Sequence, residues 1–248
     1  MVPSTLGGVG RGRFYSGTSG FAYKEWVGPF YPPGTSAAKM LRHYSSRLGA
    51  VEANYTFRRH PTEKMLEGWR AQTPDGFLFA CKANQGLTHF ARLSGNVAER
   101  LGWFTTALRP LGDRLGPVLV QTPPNLKYDP GVLDGFLALL AEKGAGWRYA
   151  MELRHPSFDT DEVRSRLADA GVAWCVADTA EAPGRFVTTA PFVYMRLRRE
   201  GYDPAALDGW ATAIAGALDD GRDVFAFFKH EEAGGGALDA LALTDRIP

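Results

Sequence analysis

Polar and charged residues stand at the ends of short apolar runs, and their spacing is the first feature of the sequence with chemical content. Glu52 and Asn54 belong to the run Ala50–Tyr55, and Glu152, Arg154 and His155 stand at the end of Trp147–Leu153. Lys82 ends Phe77–Ala83 and Gln121 ends Pro117–Thr122. Asp178 follows Val172–Ala177, Arg196 and Arg198 end Phe192–Leu197, and Lys229 and His230 follow Val224–Phe228. Side chains alternate along a strand, so Glu52 shares a face with Asn54 and Glu152 shares one with Arg154. If that face is a common interior, Glu52 and Glu152 approach one cavity from separate sides. That suits an acid and a base working across a substrate, with Asp178 as a third catalytic candidate. Lys82, Arg154, Arg196 and Lys229, with Arg198 beside them, favour an anionic ligand such as a phosphate or carboxylate. Asn54, Gln121, His89 and His230 would add hydrogen bonds to it. The alternative is that these charges only pair with one another, because a buried charge must be paired whether or not it catalyses.

Such convergence needs strands that point one way. Eight apolar runs qualify, the seven above or implied and a first one at Phe14–Thr18. Segments of helical period separate most of them, with start signals at Ser36, Thr62, Asn96 (with Glu99 three residues on, as a capping box), Asp129-Pro130, Asp159 or Thr160, and Asp203-Pro204. Alternating strand and helix implies a parallel sheet covered by helices. Eight such units in 248 residues favour a closed (β/α)₈ TIM-type barrel, whose site lies at the C-terminal strand ends, over an open doubly wound sheet. Thr179–Ala190 carries Pro183 and Gly184 and no apolar stripe, so a loop or single turn is expected in place of the sixth helix. Residues 1–12 read as a flexible Gly-rich lead-in and 13–248 as one domain.

The first loop is aromatic, with Phe21, Tyr23, Trp26, Phe30 and Tyr31. Over a barrel mouth, Tyr23 and Trp26 would serve as a lid or stacking wall; otherwise the loop packs into a small core of its own.

Composition narrows the partners. The formal charge of +1 lacks the basic excess of a protein that grips long nucleic acid, and no apolar stretch approaches the ~20 residues of a membrane span. Cys81 and Cys175 lie in apolar runs and form no Cys-x-x-Cys pair, so buried thiols in a reducing cytoplasm are expected. No phosphate loop, G-x-S-x-G elbow or H-E-x-x-H is present. No cofactor is expected. A divalent ion held by His89, His155 or His230 with Glu152 and Asp178 is the alternative. The expected assembly is a monomer or weak homo-oligomer.

Seven ordered motifs carry a family resemblance. They are Gly17-Thr-Ser-Gly-Phe-Ala-Tyr with Trp26 and Phe30-Tyr31-Pro32; Val51-Glu-Ala-Asn-Tyr-Thr-Phe; Phe77-Leu-Phe-Ala-Cys-Lys with Thr88-His89; Gly116-Pro-Val-Leu-Val-Gln-Thr-Pro-Pro; Glu152-Leu-Arg-His-Pro-Ser-Phe; Val193-Tyr-Met-Arg-Leu-Arg with Tyr202; and Phe227-Phe-Lys-His-Glu. Across about residues 14–243 the chain resembles the YecE-like family, domain of unknown function 72. The resemblance implies a TIM-type barrel and no agreed activity. Many members read Arg-x-His-Gly and Phe-Asn-Asn where this chain has Arg196-Leu-Arg198 and Phe228-Lys229-His230-Glu231, which marks a subgroup. Phe21 and Phe158 replace the more usual Trp, and Ala53 replaces a larger apolar residue. Three functions follow as expectations. The first is an enzyme for a small anionic, phosphorylated or sugar-like substrate. The others are a metal-dependent phosphodiester hydrolase and a non-catalytic binder of an anionic metabolite or partner.

Overall fold

Each apolar run becomes a strand, and the strands lie parallel in one sheet. They are β1 (Phe14–Thr18), β2 (Ala50–Ala53), β3 (Leu78–Lys82), β4 (Leu115–Gln121), β5 (Tyr149–Glu152), β6 (Ala173–Asp178), β7 (Phe192–Leu197) and β8 (Asp223–Phe228). The structure is a computed structural model that describes residues 10–229 and 232–248. The ladder runs β1-β8-β7-β6-β5-β4-β3-β2, which curls the sheet into a TIM-type barrel. β1 and β2 meet by a single bridge between Ser19 and Glu52, reinforced by Gly20 N donating to Glu52 O at 3.0 Å. Gly17 permits this approach, since a Cβ there would lie 2.0 Å from Ala50 O.

The covering helices are α1 (Ala37–Ser45), α2 (Tyr55–Arg58), α3 (Glu63–Gln72), α4 (Val97–Leu108), α5 (Pro130–Lys143), α6 (Asp161–Asp169), α7 (Pro204–Asp219) and α8 (Gly235–Thr244). Thr62, Asp129, Thr160 and Asp203 each accept a backbone N–H of the first turn, as their types predict. The capping box expected at Asn96 does not form. Asn96 has φ −82° and ψ 24°, outside the extended region, and its Oδ1 accepts from Arg100 Nε at 2.9 Å instead. The short α2 was not foreseen. Thr56 Oγ1, which donates to Ala53 O at 3.0 Å and Lys82 O at 2.7 Å, ties it to the end of β3.

No helix follows β6. The chain instead returns along the outside of that strand, where Thr189 Oγ1 accepts from Trp174 N and donates to Val172 O, both at 2.7 Å. β5 and β6 share only two register pairs, Ala150↔Ala173 and Met151↔Trp174, so their C-terminal ends diverge. Of the lead-in, residues 1–9 lie outside the described residues. Gly12 N donates to Leu218 O at 2.8 Å and Arg11 pairs with Asp219, so its described end is held against α7.

Two apolar layers result from the period of two. Outward side chains such as Val51, Phe79, Val120 and Met195 pack under the helices. Inward ones fill the barrel unevenly. Tyr15, Phe192, Tyr194, Phe225 and Phe227 supply the bulk from β1, β7 and β8, against Ala50, Ala80, Ala150, Ala173 and Cys175 on the other strands. The interior is therefore a packed plug, and space opens only above it, at the strand ends. Among the described residues no helix is long and apolar enough to cross a membrane.

Candidate active site at the barrel mouth

Above the aromatic plug, Arg196 extends from β7 across the mouth and bonds both carboxylates. Its Nε and Nη2 donate to the two oxygens of Glu52, each at 2.9 Å, and its Nη1 donates to Glu152 Oε2 at 2.5 Å. The two glutamates are thus bridged by one guanidinium. The reach of the arginine side chain spans the space between the two strands that carry them. Glu52 is fully buried. It also accepts from Ser19 Oγ at 2.8 Å, Tyr194 OH at 2.8 Å and Asn54 Nδ2 at 3.3 Å. Burial alone would raise its pKa, but Arg196 and Arg198 outweigh burial and hold it at about 2. Burial likewise opposes the charge on Arg196, and the two carboxylates override it.

A second chain of hydrogen bonds starts at Glu152. Gln121 Nε2 donates to Glu152 Oε1 at 2.8 Å, which fixes the amide so that its Oε1 faces Lys82. Lys82 Nζ donates to that oxygen at 2.7 Å and lies 4.2 Å from the centre of the Phe57 ring. Burial and then the charge of Arg196 lower the Lys82 pKa to about 8, with Glu52 and Glu152 acting in the other direction. His89 sits in the π-helical turn Gly86–Phe90, with Nδ1 2.8 Å from Thr88 Oγ1 and its ring edge-on to Phe57. Its pKa is lowered by burial and by Lys82, Arg154 and Arg92. These neighbours favour the uncharged imidazole.

Arg198 lies two residues along β7 from Arg196, on the same face, and donates to Ser19 Oγ at 2.7 Å. Its pKa is lowered by burial and by Arg196. Among the described residues neither Arg198 nor Lys82 has a carboxylate within salt-bridge distance. Arg154 is more exposed, and its Nε is 4.0 Å from Glu152 Oε1. It borders a cleft of about 700 Å³ where β5 and β6 diverge, lined also by Glu152, His155, Trp174, Cys175 and Arg185. Among the described residues Asn54 has a buried Oδ1 with no partner, beside a pocket of about 290 Å³ that Tyr23 and Phe21 also line.

Other residues singled out in the sequence are placed elsewhere. Asp178 lies on the outward face of β6 with Val176. There it accepts from Gly184 N at 2.8 Å, Arg199 Nε at 2.7 Å and Tyr202 OH at 2.8 Å, which anchors the two loops that flank β7. Trp26 is fully buried among Tyr23, Phe30 and Tyr31, so the aromatic loop has formed a core of its own. Tyr23 remains at the mouth's edge, where its OH donates to Ser19 O at 2.7 Å and burial raises its pKa to about 12. Lys229 Nζ donates to Glu200 at 3.0 Å. His155 caps the turn Pro156–Phe158 through Ser157, and His230 lies outside the described residues. Among the described residues no three His, Cys, Asp or Glu side chains gather in a way that could hold a metal ion. Tyr194 and Phe57 were not singled out as site residues. The alternation Tyr194, Arg196, Arg198 on one strand was the signal for Tyr194.

A TIM-type barrel with a charged, hydrogen-bonded mouth is the class that fold and site define. The chain belongs to the family described as "protein of unknown function DUF72", whose model matches residues 15–248. A DUF72 family protein from Thermotoga maritima superposes with a TM-score of 0.81 at 26% identity, covering 94% of this chain and 98% of that one. A DUF72 family protein from Enterococcus faecalis, at 17% identity, shares the fold with a TM-score of 0.78, covering 94% and 95%. The UPF0759 protein YunF of Bacillus subtilis is 32% identical over 117 residues, which is 44% of this chain and 40% of that protein.

Proposed function

We propose that the barrel mouth binds a small anionic molecule, phosphorylated or sugar-like, and acts on it as an enzyme. The observation that carries this reading is the pair Lys82 and Arg198. Both are half-buried cations, and neither has a carboxylate partner among the described residues. Leaving a desolvated cation unpaired costs free energy, and a bound anion would remove that cost. Arg154 at the cleft adds a third cation within reach. The Oδ1 of Asn54 supports a hydroxyl on the ligand, because it is a buried acceptor that lacks a donor among the described residues.

Glu152 is the carboxylate placed to exchange a proton with a ligand in the cleft, since it lines that space and is partly exposed. Glu52 has all its acceptor sites engaged and keeps its charge, so its part is to hold Arg196 rather than to move a proton.

The reading is tested by thermal melting with phosphate or sulfate against chloride at equal ionic strength. Stabilisation by phosphate that disappears in Arg198→Gln supports it. Equal behaviour of the three salts, or full retention in the variant, overturns it. Once a turnover is found, unchanged kcat in Glu152→Gln would remove Glu152 from the chemistry, and saturable binding with no turnover would leave a binding protein.

A further inference from the structure

We propose that Lys82 is a nucleophile that forms an imine with an anionic carbonyl compound, such as a 2-oxo acid or a phosphorylated aldehyde or ketone. The proposal rests on the anion-binding reading above and adds the bond that the ligand makes. It starts from where the amine is held. Lys82 ends β3 on the inward face, and among the described residues its Nζ has one hydrogen-bond acceptor, Gln121 Oε1 at 2.7 Å. That amide cannot turn over without losing its own bond to Glu152 Oε1, and Glu152 is held in turn by Arg196. Three side chains therefore fix one lysine nitrogen.

The choice of partner matters. A carboxylate in contact with Lys82 would hold its proton, whereas a neutral amide orients the nitrogen and leaves the charge weakly supported. Glu152 is kept one residue away, with Gln121 between. A lysine that only binds an anion has no need of this insulation; one that must attack as a free amine does. Its lowered pKa, about 8, agrees with the geometry. Arg198 and Arg154 are the cations that would hold the anionic group of the carbonyl compound while the amine reaches its carbon.

The step balances as follows. The amine lone pair forms a C–N bond to the carbonyl carbon, and the carbonyl π pair moves to oxygen. One amine proton passes to that oxygen, giving a carbinolamine. A second proton, taken from solvent, lets the oxygen leave as water. The nitrogen keeps its last proton and the positive charge of the iminium. No oxidant, reductant or metal enters. The iminium withdraws electrons from the neighbouring carbon, which suits lyase or isomerase chemistry on that carbon.

The test is reductive trapping on the full chain. Glyoxylate, pyruvate and glyceraldehyde 3-phosphate are each incubated with the protein and cyanoborohydride, and the adduct is located by peptide mass mapping. The expected result is an adduct on Lys82 formed at least about tenfold faster than on the exposed Lys64 and Lys127, which serve as internal controls. Phosphate should slow it, and Lys82→Met should lack it. The rate should rise with pH through about 8. The charged groups that bear on that profile are Arg196 on β7 and Arg198 just beyond it, Glu52 on β2, Glu152 on β5 and Arg154 after it, and His89 after β3 is the neighbouring titratable group. Gln121→Glu, which puts a carboxylate on Nζ, should move the profile up by about one pH unit, an effect that loss of packing would not produce. If none of the three compounds labels Lys82 faster than the two control lysines, the imine proposal is overturned. Phosphate stabilisation that survives that result leaves the anion site standing, and its absence removes both.

Discussion

Glu52, next to last in β2, and Glu152, last in β5, both point inward and bond the same guanidinium, yet one is sealed and the other is open. At β2, side chains from two other strands converge on the carboxylate. Ser19 from the end of β1 and Tyr194 and Arg196 from β7 surround it, and no solvent reaches it. At β5, the adjoining strand β6 turns away after two register pairs, so Glu152 faces a cleft, with Gln121 and Arg196 hydrogen-bonded to its carboxylate. The same residue type, inward-facing in both strands, becomes a structural anion in one place and an accessible one in the other. The difference comes from strand spacing and from the bulk of the aromatic side chains on β7 and β8, not from the glutamates themselves.

Substitutions can break that comparison. Glu52→Gln has the largest expected effect. It leaves the Arg196 guanidinium buried with half its charge compensation gone, and should cost about 3–5 kcal/mol in urea or guanidinium melts. Glu152→Gln leaves the Glu52–Arg196 pair intact and should cost about 1–2 kcal/mol. A larger loss at Glu152 than at Glu52 would invert the assignment of roles.

Acid titration sharpens it further. The folded Glu52 carboxyl sits at about 2 against an ordinary 4.5. Its contribution to stability is therefore complete above about pH 4.5 and is lost as the pH falls toward 2. The slope of stability against pH in that window should be shallower in Glu52→Gln than in the wild type.

The open side predicts a different sign. Arg198→Gln removes a desolvated cation that lacks a carboxylate partner, and without added anion its stability should change by less than about 0.5 kcal/mol or rise. A last pair of substitutions lies outside the mouth altogether. Thr62→Ala removes a formed cap and should cost about 1 kcal/mol, whereas Asn96→Ala should cost under about 0.5 kcal/mol because its cap bond is not made.

The fold was legible because it follows from local rules. Eight apolar runs, the Asp-Pro starts of α5 and α7, and the stripe-free segment after β6 each carry their signal within a few residues. The composition of the mouth was legible in part for the same reason, since alternation puts Glu52, Lys82, Gln121, Glu152 and Arg196 on one face. Their pairing was not. That Arg196 takes both glutamates, while Lys82 is left with an amide, depends on distances across the barrel that no local pattern encodes. Asp178 shows the limit of reading strand ends by position alone. It sits one residue out of step with the inward set, and its partners Tyr202 and Arg199 lie beyond β7. Trp26 shows another limit, because an aromatic loop reads the same from sequence whether it faces a ligand or itself.

The single bridge between β1 and β2 bears on the order in which the barrel assembles. β1 takes its ladder from β8, with Phe14 opposite Val224, so its main partner is made near the far end of the chain. Until then β1 has only the Ser19–Glu52 contact and the Gly20 bond to hold it. Pairing of such distant segments is slow, because the loop entropy must be overcome before the contacts are gained. During synthesis the growing chain passes through a stage with a nearly complete sheet and an unpaired β8-side edge on β1, the kind of exposed edge that chaperones protect and aggregates exploit. Closure also brings Arg196 to Glu52. That ion pair joins residues 144 positions apart in sequence, so it marks a chain in which β2 and β7 already face each other across the barrel.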